Sequence, residues 1–218
     1  MKNYPNLKIV ESPIVYQNLC KLRSKDTDTQ GVRLAARALT RILMYEATKN
    51  LPMTEVEVET PLEKFKTKTI DKDIEIIISP ILRAGLIFTD EAVDILPQAT
   101  IRHIGMYRDE KTLKPVWYYN KVSIPVNNHD NYYVFITDPM LATGNSLAEA
   151  IRLYIEKGVP QKNICCVCMI SAPEGIENIF NEFPDIKLLV TAVDSRLNEY
   201  GYIIPGMGDA GDRIYNTL

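Results

Sequence analysis

Two kinds of apolar run alternate along this chain, and the alternation limits its fold more than any other feature. Runs that predict strands occur at 74–79, 101–106, 132–136, 164–170 and 186–193. Runs with the apolar spacing of helices occur at 29–50, 86–96, 146–157 and 173–182. The run at 74–79 is mostly β-branched and apolar, which is typical of a strand covered on both faces. The alternation predicts an α/β fold with a mainly parallel central sheet and helices on both faces.

The chain is long enough to bury one well-packed core. It has 218 residues, of which 46% are hydrophobic, and no linker-like boundary, so a single domain over 1–218 is predicted. Within it we distinguish an N-terminal extension at 1–28, a protruding β-arm at 107–125 and a C-terminal hood loop at 194–218. The strict alternation at 55–60 predicts a further, half-exposed strand.

Charge and hydropathy exclude several partners. The formal net charge of -3 provides no basic field that would attract nucleic acid or an anionic membrane. No apolar run reaches the ~20 residues needed to span a bilayer, and the first residues lack the apolar core of a signal peptide. We therefore expect a cytoplasmic protein that binds neither nucleic acid nor membranes. Any phosphate ligand must be held by a few local cations.

Three of the four cysteines, Cys165, Cys166 and Cys168, lie in one predicted strand. Adjacent strand residues point to opposite faces, so Cys165 cannot share a site with both of the others. We expect all three to be small buried hydrophobic residues and not metal ligands.

The segment 137–146, Thr-Asp-Pro-Met-Leu-Ala-Thr-Gly-Asn-Ser, joins a predicted strand to a predicted helix. The N–H groups of such a turn, its hydroxyls and the positive end of the helix dipole suit a phosphate. Asp138 would repel the phosphate, and it is better suited to accept hydrogen bonds from sugar hydroxyls or to orient a cation. Ligands of parallel sheets bind beyond the carboxyl ends of the strands. A sugar phosphate is therefore the predicted ligand.

Two common nucleotide motifs do not fit this turn. No lysine follows Gly144, as the nucleoside triphosphate loop requires, and Gly144 stands alone where the dinucleotide fingerprint has three spaced glycines. The alternative is an ordinary strand–turn–helix connection in which Thr143 or Ser146 caps the helix. The turn alone leaves both interpretations open.

The arm at 107–125 contains Trp117, Tyr118 and Tyr119 between polar stretches. Because exposed aromatic side chains are costly in a monomer, we predict that the arm forms the interface of a homodimer or higher homo-oligomer. The alternative is that the arm folds back on its own core.

The stretch 201–212 holds four glycines and a proline. That composition excludes a central strand or a regular helix and predicts a loop with special backbone dihedrals. Such a loop typically brings its main chain close to a ligand.

Five segments in this order resemble the uracil phosphoribosyltransferases. They are Pro-Ile-Leu-Arg-Ala-Gly-Leu at 80–86, Gly-Met-Tyr-Arg at 105–108, the turn at 138–146, Ala-Pro-Glu-Gly-Ile at 172–176, and 198–212. The resemblance implies the type I phosphoribosyltransferase fold. It also implies transfer of the phosphoribosyl group of 5-phosphoribosyl 1-diphosphate (PRPP) to uracil, giving uridine 5′-monophosphate (UMP) and pyrophosphate in pyrimidine salvage. The implied cofactor is Mg²⁺, bound mostly through PRPP and water and not mainly by protein side chains.

The resemblance further implies roles for individual residues. Arg83 and Asp209 are the implied catalytic residues. Arg83 and Arg108 suit pyrophosphate because a guanidinium pairs bidentately with phosphate oxygens. Structural salt bridges are the alternative role for these two arginines. The residues implied in PRPP binding are Arg83, Arg108, Asp138, Pro139, Met140, Leu141, Ala142, Thr143, Gly144, Asn145, Ser146 and Asp209. The residues implied in uracil binding, largely through main-chain groups, are Ile203, Gly208, Asp209 and Ala210, which form the uracil-binding part of the hood.

The chain departs from the family pattern at Asn145, where a second glycine usually follows Thr-Gly. If this position requires a left-handed backbone, asparagine is the least costly substitute for glycine. Its amide would also add a contact to the phosphate.

Three rival functions remain on sequence grounds. A sister transferase for another base is disfavoured by the run at 202–212, and a nucleotide- and RNA-binding regulator on this fold is disfavoured by the net charge. A non-catalytic relative that only binds nucleotide is disfavoured by Arg83, Asp138 and Asp209.

Overall fold

The computed structural model describes residues 2–109, 115–125 and 129–217, with the side chain of Arg108 excepted. Its central sheet has the strand order β1-β12-β10-β8-β4-β6-β7, with β5 paired to β4. All neighbouring strands are parallel except β6 and β7, which are antiparallel. The described strands are β1 (Leu7–Ile9), β2 (Met53–Glu59), β3 (Lys64–Ile70), β4 (Glu75–Leu82), β5 (Thr100–Ile101), β6 (Ile104–Arg108), β7 (Pro115–Asn120), β8 (Tyr132–Thr137), β9 (Met140–Leu141), β10 (Ile164–Val167), β11 (Ile170–Ser171), β12 (Lys187–Val190), β13 (Ala192–Val193), β14 (Arg196–Leu197) and β15 (Ile203–Ile204).

Helices cover both faces of this sheet. The described α-helices are α1 (Pro13–Arg23), α2 (Thr29–Ala47), α3 (Thr89–Ile95), α4 (Asn145–Glu156), α5 (Pro173–Glu182) and α6 (Ala210–Tyr215). Successive residues of the central strands alternate between two buried clusters, one shared with α1, α2, α3 and α6 and the other with α4 and α5. The mainly parallel α/β fold predicted from the sequence is therefore confirmed.

The cysteines follow the same alternation. Cys165 packs on the α2 face, whereas Cys166 and Cys168 pack on the α4 face, and all three are buried. Burial raises the pKa of each thiol, to about 12 for Cys165. Cys165 and Cys166 thus point to opposite faces, as the strand geometry requires.

Two predicted strands are each interrupted near the carboxyl edge of the sheet and form two shorter strands. The run at 164–170 forms β10 and β11, the run at 186–193 forms β12 and β13, and β9 follows β8 after two residues. At two of these breaks one carbonyl accepts two successive N–H groups, as at a β-bulge: Pro139 O from Met169 and Ile170, and Met169 O from Thr191 and Ala192. The short strands beyond the breaks form a second parallel sheet, β13-β11-β9, which redirects the chain towards the candidate site.

Residues 2–28, the described part of the N-terminal extension, pack against the core. It contributes the edge strand β1 and the helix α1, whose N-terminus is capped by Ser12 ahead of Pro13. Val15, Leu19 and Leu22 of α1 are buried, and their i, i+4, i+7 spacing after Ser12 and Pro13 is a helix signal that the sequence analysis did not use.

A second hairpin, β2–β3, forms a sheet of its own. The register pairs Glu55, Glu57 and Glu59 with Lys68, Lys66 and Lys64. Strand β3 was not predicted, although the alternation of its lysines with Phe65, Thr67 and Thr69 is a strand signal.

The arm at 107–125 is described in part, since residues 110–114 lie outside the described part of the chain. Strand β7 pairs with β6 at the edge of the central sheet, and Trp117 is half-buried against the α4 side of the core. Trp117 therefore folds back on its own domain, whereas Tyr118 and Tyr119 are exposed. None of the described helices is long and apolar enough to cross a membrane.

Candidate active site

A cleft of about 270 Å³ lies beyond the carboxyl ends of β4 and β8. Asp138, Met140 and Ala142 line one side of it, and the hood lines the other. The lining residues of the hood are Gly201, Tyr202, Ile203, Gly208, Asp209, Ala210 and Gly211. The first part of the predicted phosphate turn and the hood therefore face one shared cleft, whereas Thr143, Gly144, Asn145 and Ser146 are not among its lining residues.

The predicted phosphate turn leads directly from Ala142 into α4. Gly144 is the N-cap residue with a left-handed φ of 82°, and a Cβ there would lie 3.0 Å from Gly175 O. Both the dihedral and the close approach require glycine at this position. The first N–H groups of an α-helix have no carbonyl partner within the helix, and at the start of α4 Asn145 N donates to Thr143 Oγ1 at 3.5 Å. Thr143 and Ser146 flank these donors and are partly exposed.

Asn145 does not occupy the left-handed position. It is the first residue of α4, and among the described non-glycine residues only Asn216 has a positive φ. The backbone explanation for asparagine in place of the family's glycine is therefore wrong: the left-handed dihedral belongs to Gly144, and Asn145 has ordinary helical geometry.

Pro139 and Leu141, both predicted to contact PRPP, support the turn from below. Leu141 is 2% exposed within the core, and Pro139 is also buried. The carbonyl of Leu141 accepts a hydrogen bond from Ala172 N at 2.9 Å. Any contact of these two residues with a ligand would have to come from their main chain.

Asp138 lies at the floor of the cleft and keeps some solvent exposure. Desolvation by the surrounding protein raises the pKa of its carboxyl group to about 7, although a hydrogen bond that Oδ1 accepts from Met140 N at 3.3 Å opposes the rise. A sugar hydroxyl that donates to this carboxylate, or a cation beside it, would stabilise the charged form.

Arg83 contacts the hood beside the cleft, although it does not itself line the cleft. It follows a cis peptide bond from Leu82, and its neighbour Ala84 lines the cleft. Its guanidinium donates to Asp212 Oδ1 at 3.0 Å and to Thr217 Oγ1 at 3.4 Å. Hydrogen bonds from Thr217 and Arg83 lower the pKa of Asp212. The side chain is 55% exposed, so this ion pair is weak and can be exchanged for a phosphate.

Arg108, the second predicted pyrophosphate ligand, lies in β6 with its main chain described and its side chain outside the described part of the structure. Its assignment stays a prediction.

Three of the seven hood residues that line the cleft are glycines, which leave the main chain accessible there. Gly208 has a φ of 78°, and Asp209 caps α6 by accepting a hydrogen bond from Asp212 N at 3.0 Å. Ala210 is the first helical residue, so its N–H has no acceptor within α6. Ile203 lies in β15, paired with Leu197, and both Ile203 and Ala210 are nearly buried. This arrangement suits recognition of a small planar ligand by backbone polar groups.

An ion pair that the sequence analysis missed anchors the hood. Arg23, at the end of α1, contacts both carboxylate oxygens of Asp194 at 2.7 and 2.6 Å and also donates to Gly206 O. Asp194 in turn accepts from Gly206 N at 2.7 Å, and its side chain is only 5% exposed. Its position after a strand was a signal for Asp194, but nothing local marks Arg23, which is 171 residues away.

A further arginine fixes the same loop. Arg213 of α6 donates to the carbonyls of Met207, Leu22 and Ser24 at 2.6–2.8 Å. The hood is thus tied to the N-terminal helix by two arginines and not by apolar packing alone.

The donor set of the cleft fits a magnesium ion held mainly by a substrate. Asp138 and Asp209 both line the cleft, and oxygen ligands are those that Mg²⁺ prefers. In the described part of the chain no three His, Cys, Asp or Glu side chains are grouped closely enough to hold a metal ion by themselves.

Comparison with known proteins identifies the family and the relatives that this chain resembles. A family model described as uracil phosphoribosyltransferase matches residues 9–217. A uracil phosphoribosyltransferase of Dictyoglomus thermophilum is 50% identical over 210 residues, which cover 96% of this chain and 98% of that protein. The solved AQ2163 protein from Aquifex aeolicus is 35% identical, with a TM-score of 0.87 and coverage of 96% and 97%. Adenine phosphoribosyltransferase from Trypanosoma brucei shares only the fold, at 11% identity, a TM-score of 0.56 and coverage of 88% and 86%.

Proposed function

The chain belongs to the uracil phosphoribosyltransferase family, and from that premise we propose that its cleft transfers the phosphoribosyl group of PRPP to uracil. The products are UMP and pyrophosphate. The observation that carries the proposal is the shared cleft, in which Asp138 and Ala142 face Ile203 and Ala210. Donor and acceptor bound at these two sides would meet at the anomeric carbon.

On the sugar-phosphate side, the amides at the start of α4 hold the 5′-phosphate, with the hydroxyls of Thr143 and Ser146 as further donors. The left-handed Gly144 supports this, because its dihedral turns successive N–H groups towards one point. Asp138 accepts hydrogen bonds from the ribose hydroxyls.

On the base side, main-chain groups of Ile203 and of the turn 208–210 read the edge of uracil. That edge presents O2, N3–H and O4, an acceptor–donor–acceptor sequence that backbone N–H, C=O and N–H groups complement. Cytosine inverts the sequence at N3 and at the exocyclic group. Its binding would leave buried polar groups unpaired, which costs several orders of magnitude in selectivity.

Catalysis follows from positioning and electrostatics. Arg83 exchanges Asp212 and Thr217 for the departing pyrophosphate, whose negative charge grows as the glycosidic bond breaks. Asp209 orients the phosphoribosyl substrate while it caps α6. Mg²⁺, bound mostly through PRPP and water, would supply further charge neutralisation when present. The hood excludes water from the oxocarbenium-like ribose until uracil N1 attacks the anomeric carbon; the bond to the pyrophosphate oxygen breaks, and the N1 proton passes to solvent or to the departing pyrophosphate.

Two further properties stay predictions. One is a cytoplasmic location, and the other is a homodimer or higher homo-oligomer. The prediction that the arm at 107–125 forms the interface now depends on Tyr118 and Tyr119, because Trp117 packs on its own domain.

A base-panel assay tests the function. Purified protein with magnesium and PRPP is offered uracil, cytosine, hypoxanthine and orotate in separate reactions, and nucleotide products are resolved by chromatography. UMP from uracil alone is expected. Product from another base, or none from uracil, would contradict the proposal.

A further inference from the structure

Helix α5 contacts both halves of the cleft without lining it. Its first residues belong to the Ala-Pro-Glu-Gly-Ile segment at 172–176, which the proposed chemistry does not use. Ile176 and Ile179 are fully buried, and Phe180 stacks on Tyr4 with ring centroids 4.7 Å apart. The apolar face of the helix is therefore fixed in the core, and its polar residues are available to contact the phosphate turn and the hood.

Asn178 supports the phosphate turn. Its Nδ2 donates to Thr143 O at 2.9 Å and to Asn145 Oδ1 at 3.3 Å. One amide group thus holds a carbonyl of the turn and the side chain that replaces the family's glycine. Removal of Asn178 would leave the Thr143 carbonyl, which is partly buried, without this donor.

Gly175 brings the same helix against the turn. A Cβ at Gly175 would lie 2.3 Å from Ala142 O, so no other residue permits this approach without displacing the main chain. Together with Asn178, it fixes residues 142–145 against α5.

Glu174 contacts the hood. Its Oε1 accepts a hydrogen bond from Leu197 N at 3.0 Å, and Leu197 is the register partner of Ile203 on the base side of the cleft. A residue next to Gly175 therefore holds the strand pair that presents Ile203.

We propose that α5 sets the spacing between the two halves of the site, with Asn178 positioning the 5′-phosphate turn and Glu174 positioning the uracil strand pair. Both are positioning residues, since each acts through the main chain that it holds. The inference rests on the proposed function for the identity of the two ligands. The inference requires that the Asn178 contact affects mainly PRPP binding and that the Glu174 contact affects mainly uracil binding.

The test compares six variants by steady-state kinetics in both substrates, with calorimetric binding of ribose 5-phosphate as a readout that needs no turnover. Asn178→Ala and Asn178→Leu remove the donor without adding a charge, Glu174→Ala removes the acceptor, and Glu174→Gln retains a carbonyl acceptor. Asn181→Ala and Glu177→Gln are matched controls on α5: Asn181 is exposed, and Glu177 pairs with Lys2 away from the cleft.

Both Asn178 variants are expected to raise the KM for PRPP and the Kd for ribose 5-phosphate about 5- to 20-fold, the loss of one or two hydrogen bonds, with little change in the KM for uracil. Glu174→Ala is expected to raise the KM for uracil about 3- to 10-fold with ribose 5-phosphate binding unchanged. Glu174→Gln is expected to keep the KM for uracil close to that of the wild type.

Equal effects on both substrates, or effects no larger than those of the controls, would overturn the inference. Asn178→Leu keeps the approximate shape of the side chain without adding a charge, and it decides the question if Asn178→Ala fails to fold. An inactive wild type would contradict the proposed function instead, while ribose 5-phosphate binding would still decide the role of Asn178.

Discussion

At Asp138, folding and ligand binding place opposite demands on one carboxyl group. Burial favours the protonated form and raises the pKa to about 7, whereas the proposed contact with ribose hydroxyls needs the carboxylate. The folded chain therefore keeps a proton between pH 4 and 7 that the unfolded chain has released. Stability from this group is complete below pH 4 and is lost as the pH rises through 7.

Asp138→Asn is expected to be more stable than the wild type at pH 8, because the amide imitates the neutral acid. The gain in the free energy of unfolding should reach up to about 4 kcal/mol at pH 8 and shrink towards pH 4. Urea denaturation of the ligand-free proteins at pH 5 and 8 measures it, with exposed Asp73→Asn as control. A gain independent of pH would contradict the raised pKa.

Arg83 is the residue on which catalysis most depends in the proposed mechanism. Arg83→Ala should lower kcat about 100-fold or more, because one preorganised cation at the leaving group is lost. The melting temperature should change little, since the Asp212 pair is largely exposed. Arg152→Ala, which removes an arginine paired with Glu149 and Glu182 away from the cleft, is the control. Wild-type turnover by Arg83→Ala would remove this residue from the mechanism.

Among the elements, α1 and the hood form one unit despite their separation in sequence. Arg23 of α1 and Arg213 of α6 donate to hood carbonyls, and the carboxylate of Asp194 completes the contact. The position of the base side of the cleft therefore depends on these contacts with the N-terminal helix.

Arg23→Ala should destabilise the fold by about 3 kcal/mol, because the nearly buried Asp194 carboxylate loses its counter-ion. The KM for uracil should rise more than the KM for PRPP, since only the hood loses its anchor. Thermal unfolding and two-substrate kinetics measure the two effects, with exposed Lys21→Ala in the same helical turn as control. An equal rise in both KM values would mean that the ion pair supports the whole fold and not the hood.

For the whole molecule, two surfaces compete as the site of self-association. The arm exposes Tyr118 and Tyr119. The hairpin β2–β3 exposes Val58 and Phe65 at 39% and 44%, and Leu62 at its tip at 94%. A two-stranded ribbon with an exposed apolar face is marginal by itself. The hairpin is therefore the stronger candidate on the described surface.

We expect the hairpin pair of substitutions, Val58→Asp with Phe65→Asp, to shift the protein towards monomer. The charges would have to be buried in the interface without partners. Light scattering after size exclusion gives the mass, and Tyr118→Ser with Tyr119→Ser tests the arm in parallel. Dissociation by the arm variant alone would place the interface there, and a monomeric wild type would contradict both surfaces.

Much of the architecture could be predicted because its signals are local. The apolar run at 74–79 predicts a strand, and the glycines of 201–212 predict a loop, from the sequence of a few neighbouring residues alone. The contacts that complete the site are not local: Arg23 with Asp194, Asn178 with Thr143, and Arg83 with Asp212 join distant segments. The left-handed backbone considered for Asn145 belongs to Gly144, because adjacent positions of one turn differ in backbone conformation and sequence alone did not distinguish them.

The central claim is that one cleft holds a sugar phosphate at the start of α4 and a pyrimidine at the hood. A crystal structure with bound UMP tests it most directly, since the product occupies both sides at once. We expect phosphate oxygens within about 3 Å of N–H groups of residues 143–146, and the uracil edge at the same distance from main-chain atoms of Ile203 and Ala210. A nucleotide bound with its phosphate away from α4, or its base away from the hood, would contradict the account.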